Sequence, residues 1–136
     1  MIVDVRAGEP FYKNGFLVTC ERTREAVVID PGDEVEELIA LAGERGAAVR
    51  YILLTHAHLD HVTGVGPAKA AFGAPVYLHA DDQFLYDVVP QQGRMFGLTL
   101  QQPPPVDAHY DGSSFTFGDY ERSEEHTSEL QSHLNL

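Results

Sequence analysis

At 136 residues the chain has room for at most one domain and one core. Its 43% hydrophobic and 22% charged content is that of a globular protein, and no run approaches the ~20 apolar residues that span a bilayer. A net charge of −12 argues against a nucleic-acid or anionic-membrane surface, because nothing offsets phosphate repulsion. It does not identify a substrate, and it says nothing of oligomeric state. Asp4 and Arg6 interrupt the only early apolar run, so the N-terminus does not read as a secretory signal and a cytoplasmic location is expected. Cys20 is the single cysteine and cannot form an intramolecular disulfide; on an expected strand it reads as a buried structural thiol.

In chain order, residues 1–7 alternate enough for a half-buried strand, which Gly8-Glu9-Pro10 breaks. Residues 15–20 and 26–30 read as an antiparallel hairpin around the charged turn 21–25. Asp33 is the expected N-cap of a helix whose apolar face is Val35, Leu38, Ile39 and Ala42, and Gly46 ends it. Residues 49–54 form the next strand, which makes a strand–helix–strand crossover and puts Asp30 and the histidine cluster that follows residue 54 beyond the carboxyl ends of two strands, where open α/β sheets bind ligands. A helix over about 63–72 follows, with Gly64 and Gly66 letting its start pack close to the loop before it. Residues 75–79 give a short strand and 81–88 a short helix capped by its own aspartates. Residues 90–111, with Gly93, Gly97 and Pro103-Pro104-Pro105, predict a long irregular loop. Phe115-Thr116-Phe117 restarts a strand pattern.

The chemistry concentrates in Thr55-His56-Ala57-His58-Leu59-Asp60-His61, directly after the apolar run Tyr51-Ile52-Leu53-Leu54. Side chains two apart in extended chain point the same way, so His56 and His58 can reach one metal ion together. Asp60 and His61 lie where the chain turns towards a helix and can aim at a second point nearby. Imidazole and carboxylate suit zinc or iron. A polar loop with solvated histidines is the bland alternative, and four suitable residues directly after a strand weigh against it. His79 invites a metal reading beside Asp81 and Asp82, but a strand end followed by a helix cap explains it better. His109 reads as a solvated loop residue. Tyr77, Phe84, Tyr86 and Phe96 read equally as core or pocket lining.

His-x-His-x-Asp-His after an apolar strand resembles the metallo-β-lactamase-fold hydrolases. Val27-Val28-Ile29-Asp30-Pro31-Gly32-Asp33 resembles the Asp-Pro-Gly turn of the glyoxalase II-like branch. Asn14 to Val18 resembles its opening hairpin, and Gly73 to His79 its next strand. The resemblance covers residues 1–121. It implies an α/β fold, the N-terminal half of an αββα sandwich, truncated. It also implies a hydrolase using Zn2+, with two ions in a full-length parent and iron as an alternative. By motif match His56 and His58 serve the first metal and Asp60 and His61 the second. Asp60 is the candidate catalytic residue, able both to ligate metal and to hold the nucleophilic water. Asp30 is assigned a supporting role, bonding to the metal loop's backbone or a histidine N–H; an Asp-Pro-Gly turn former is an equally good and compatible account of it.

From Arg122 the character changes. Residues 122–133 have no core face and resemble the conceptual translation of a common sequencing adapter, so 122–136 are expected to be an artefactual, disordered tail. In the resembled family the strand begun by Phe115-Thr116-Phe117 leads to a third metal-binding histidine in a Pro-Gly-His-Thr-like turn, then to an aspartate and a last histidine. None has a match here; His126-Thr127 arrives too early and without the Pro-Gly. Three functions follow: a thioester- or ester-cleaving hydrolase in the parent, a mononuclear-iron sulfur dioxygenase on the same scaffold, or an inactive fragment. A flavodiiron-type reductase fits less well, because His58 stands where a glutamate is expected. The hydrolase is the preferred reading of the parent, and the inactive fragment that of the 136 residues themselves.

Overall fold

A computed structural model of the protein describes residues 1–7, 14–55, 57 and 62–109, together with the backbone of 115–117 and 120–122. Period-2 alternation organises it. Strands β1 (Ile2–Ala7), β2 (Asn14–Thr19) and β3 (Glu25–Ile29) form an antiparallel meander. The chain then crosses through α1 (Val35–Arg45) to β4 (Ala48–Leu53), which lies parallel to β3. Helix α2 (Val65–Phe72) leads to β5 (Val76–Leu78), parallel to β4, and β6 (Ala108–His109) continues the parallel half. The sheet order is β1-β2-β3-β4-β5-β6. A separate hairpin pairs β7 (Phe115–Phe117) with β8 (Tyr120–Arg122), so Arg122 sits in a strand. Residues 123–136, the expected tail, lie outside the described residues.

Alternate residues of each strand point to opposite faces. On one face Phe16, Val18, Val27, Ile29 and Leu53 form a buried cluster edged by Tyr51 and Tyr77. On the other, Leu17, Ala26 and Val28 meet Leu38, Leu41 and Ala42 of α1, while Ile52, Val76 and Leu78 meet Val65 and Ala68 of α2. Among the described residues the helices α1 and α2 pack on this second face. Cys20 is buried directly after β2 rather than on it. No described helix is long and apolar enough to cross a membrane.

Several local expectations are corrected. Asp33 does not cap α1: its carboxylate accepts from the Thr63 hydroxyl at 3.0 Å. The position before the helix is Glu34, which makes no side-chain cap bond, and Val35 N–H bonds the Gly32 carbonyl instead. Helix α2 starts at Val65 rather than 63, because residues 62–64 are used in a turn closed by Val65 N–H to Val62 O. The helix after β5 is not capped by its own aspartates; His79 Nδ1 accepts from Asp81 N–H at 3.0 Å, opening a 3-10 turn (Ala80–Asp82) and then α3 (Gln83–Tyr86).

Residues 90–111 are not one irregular loop. Helix α4 (Val89–Met95) occupies their start, with Val89 buried and Pro90 in the first turn, where its missing N–H costs nothing. Gly93, which reads as a breaker, lies inside α4 because Leu100 packs 3.0 Å from where its Cβ would stand. His109 lies on β6, with Nε2 2.7 Å from Gln83 Oε1. Phe84 and Phe96 are exposed, so they are neither core nor enclosed lining, whereas Tyr86 is buried and donates to the Pro104 carbonyl. That burial pushes the Tyr86 pKa up.

Candidate metal centre

His56, His58, Asp60 and His61 lie outside the described residues. Thr55, Ala57, Val62 and Thr63 define the loop's two ends and its midpoint. The loop leaves β4 at its carboxyl end, beside the ends of β3 and β5, because these three strands are parallel neighbours.

Asp30 holds the entry. Its backbone N–H bonds Leu53 O at 2.9 Å, which ends the β3–β4 ladder. Its φ of 51° is left-handed, a region where a short polar side chain is tolerated. The buried carboxylate accepts from Thr55 N–H at 2.8 Å and from the Thr55 hydroxyl at 2.5 Å. A buried carboxylate needs such charge-assisted partners to offset its lost hydration. The exit is held by the next turn of the same loop. Thr63 donates to Asp33, and Gly64 N–H bonds Pro31 O at 2.9 Å. A Cβ on Gly64 would stand 2.3 Å from Gly32 O and 2.7 Å from Val35 Cβ, so only glycine allows this approach. The Asp-Pro-Gly-Asp turn thus grips the loop at both ends.

The midpoint is Ala57, fully buried. Its N–H reaches Asp82 Oδ2 at 3.3 Å, and its carbonyl faces Gln92 Nε2 at 3.5 Å. Neither Asp82 nor Gln92 is signalled by the sequence: one reads as a helix cap, the other falls in the expected loop, and only the tertiary fold brings them to the histidine loop. Beside the exit, Val62 and Thr63 wall a cavity of ≈ 220 Å³ completed by Val89, Gln101 and Pro104. Among the described residues no group of three His, Cys, Asp or Glu could hold a metal, so any metal here rests on the motif. Its donor set of three imidazoles and a carboxylate suits zinc or iron, and a loop held at both ends suits ligand placement.

The described residues form a mixed α/β sheet with helices packed on one face, and a histidine-rich loop follows its fourth strand. The Metallo-beta-lactamase superfamily model matches residues 8–128, and the chain belongs to that superfamily. It is 38% identical over 109 residues to "Hydroxyacylglutathione hydrolase GloC" of Haemophilus influenzae, covering 79% of this chain and 49% of that protein. It is 43% identical over 68 residues to a "Hydroxyacylglutathione hydrolase" of Bdellovibrio bacteriovorus, covering 50% of this chain and 27% of that one. Among solved structures, TTHA1623 in a di-iron-bound form superposes with a TM-score of 0.71 at 42% identity, covering 86% of this chain and 58% of that one. BLEG-1 B3 metallo-beta-lactamase superposes at 0.77 with 28% identity, covering 90% and 59%. The chain thus spans about half or less of the curated relatives it matches.

Proposed function

We propose that these residues are the amino-terminal part of a metal-dependent hydrolase that cleaves a small-molecule thioester or ester. The observation that carries this is the coincidence of His-x-His-x-Asp-His after β4 with relatives called hydroxyacylglutathione hydrolase. In this reading His56 and His58 hold a first metal ion, and Asp60 and His61 a second. Bound metal supplies a Lewis acid for the carbonyl and a water of lowered pKa. Asp60, whose carboxylate can both ligate metal and accept a proton, would hold the attacking water. Asp30 keeps the entry of the loop fixed through Thr55, so the ligands meet their ion without a reorganisation cost. Zinc is the preferred metal; a di-iron form of a structural relative makes iron the metal to compare.

Each ion has two protein ligands in this chain, whereas zinc sites generally use three or four. The 136 residues alone are therefore expected to bind metal weakly and to turn nothing over. The test is to sequence the source gene across codons 120–133, express whatever open reading frame is found, and assay it on a glutathione thioester with and without chelator. Chelator-sensitive hydrolysis by a longer product, absent in the 136-residue chain, supports the reading. A longer product that binds one iron and consumes oxygen without hydrolysis replaces it with the dioxygenase. Arg122 to Leu136 followed by a stop in the gene overturns the truncation argument.

A further inference from the structure

We propose that Asp82 and Gln92 are positioning residues for the metal loop, acting through the two peptide groups of Ala57; this rests on the metal reading above. Ala57 is 0% exposed, so its N–H and C=O are cut off from solvent and need protein partners. Asp82 Oδ2 faces the N–H at 3.3 Å and Gln92 Nε2 faces the C=O at 3.5 Å. These bonds are long, and each is supported by its setting. Gln92 Nε2 is also 2.6 Å from the Leu85 carbonyl, so both neighbours of this nitrogen are acceptors, which identifies it as the donor end of the amide. Its backbone is fixed within α4, where Gln92 N–H bonds Val88 O at 3.0 Å. Asp82 stands at the start of α3 and makes no side-chain cap bond there, so its carboxylate is not committed to the helix it precedes.

The covalent geometry makes Ala57 the place to hold. Its N–H lies in the peptide plane shared with residue 56, and its C=O in the plane shared with residue 58. A peptide is a rigid six-atom plane that includes both flanking Cα atoms. Fixing both planes from one side chain each fixes the backbone from which His56 and His58 branch. Asp30 and Asp33 act at the two ends of the loop, from the turn after β3. Asp82 and Gln92 act at its centre, from the segments after β5. The centre is thus held from other elements than the two ends are.

The experiment compares the longer gene product proposed above, as wild type, with its Asp82→Ala, Asp82→Asn and Gln92→Ala variants in two readouts. The first is hydrogen exchange of the Ala57 amide in metal-free protein; the second is zinc affinity from competition with a chromophoric chelator. Asp82→Asn retains an acceptor oxygen and is expected to leave both close to wild type. Asp82→Ala should speed Ala57 exchange and weaken zinc affinity about tenfold or more, the usual effect of removing a group that orients metal ligands. Gln92→Ala should weaken affinity in the same direction. Thermal unfolding of the metal-free variants separates this from general destabilisation, and a variant that does not fold leaves the other two to decide. Zinc affinity of Asp82→Ala and Gln92→Ala equal to wild type overturns the positioning role while leaving the metal reading intact. Wild-type protein that takes up no zinc overturns the metal reading and the positioning role with it. Unchanged Ala57 exchange in Asp82→Ala overturns the hydrogen bond itself.

Discussion

Asp30 shows how one side chain can be turn former and loop anchor together. Its left-handed φ of 51° lets the chain turn sharply after β3, and that same turn aims the carboxylate at Thr55. Asp30→Ala removes both bonds, leaves the Thr55 donors facing a cavity and puts an alanine in a region it avoids. The expected loss is about 2–3 kcal/mol. Asp30→Asn keeps one acceptor oxygen in a residue that tolerates this conformation, and should cost about 1 kcal/mol. Urea midpoints at unchanged slope measure both; equal losses for the two variants would show that charge, not geometry, matters at this position. Asp30 is legible in the sequence because Asp-Pro-Gly after an apolar strand names its own turn. Asp82 and Gln92 are not legible, since their meeting with Ala57 depends on how α3 and α4 pack.

Two glycines separate what a helix needs locally from what its packing needs. Gly64 stands at the head of α2 against backbone atoms of Pro31 and Gly32, which cannot swing aside as a side-chain end can. Gly64→Ala is expected to cost about 2–3 kcal/mol by overpacking. Gly43 is exposed inside α1 with nothing within 4 Å of where a Cβ would stand. Gly43→Ala should therefore stabilise by about 0.5–1 kcal/mol through helix propensity alone. Opposite shifts in thermal midpoint are the check. The same distinction explains why α4 escapes a reading of the sequence: Gly93 and Pro90 look like breakers, yet one admits Leu100 and the other sits in the first turn. At the far edge, Asp107 ties the segment after α4 to β5, accepting from Lys69 Nζ at 2.8 Å and Val76 N–H at 2.7 Å. Lys69, and next the Val76 N–H, hold the Asp107 carboxyl below its ordinary pKa. A carboxyl lowered on folding stabilises above its unfolded pKa of about 3.9 and loses that contribution as pH falls through the folded value. The stability gap between wild type and Asp107→Asn should be constant above about pH 5 and close below about pH 4. A gap that persists at pH 2 would mean the amide fails for reasons of shape.

The hairpin of β2 and β3, the crossover through α1 and the loop at the end of β4 all follow from short-range signals: alternation in the strands, a helical apolar face, and Gly46 in the left-handed C-cap. What faces the Phe16, Val18 and Leu53 cluster does not follow, because an apolar strand face states that it is covered and not by what. The matches cover 49% of one relative and 27% of another, and in the reading proposed here the remaining ligands belong to a longer gene product. Zinc linkage makes this measurable. A ligand that binds only the folded state stabilises it by RT ln(1 + [L]/Kd), about 2.7 kcal/mol at a hundredfold excess over Kd. For a longer gene product with a complete ligand set, that corresponds to a rise of about 5–10 °C in thermal midpoint, reversed by chelator. The 136-residue chain, with two motif ligands per ion, should shift by less than about 2 °C under the same zinc. A full shift in the short chain would mean that His56, His58, Asp60 and His61 bind as one four-donor site to a single ion, and the two-metal assignment would then give way to a mononuclear one.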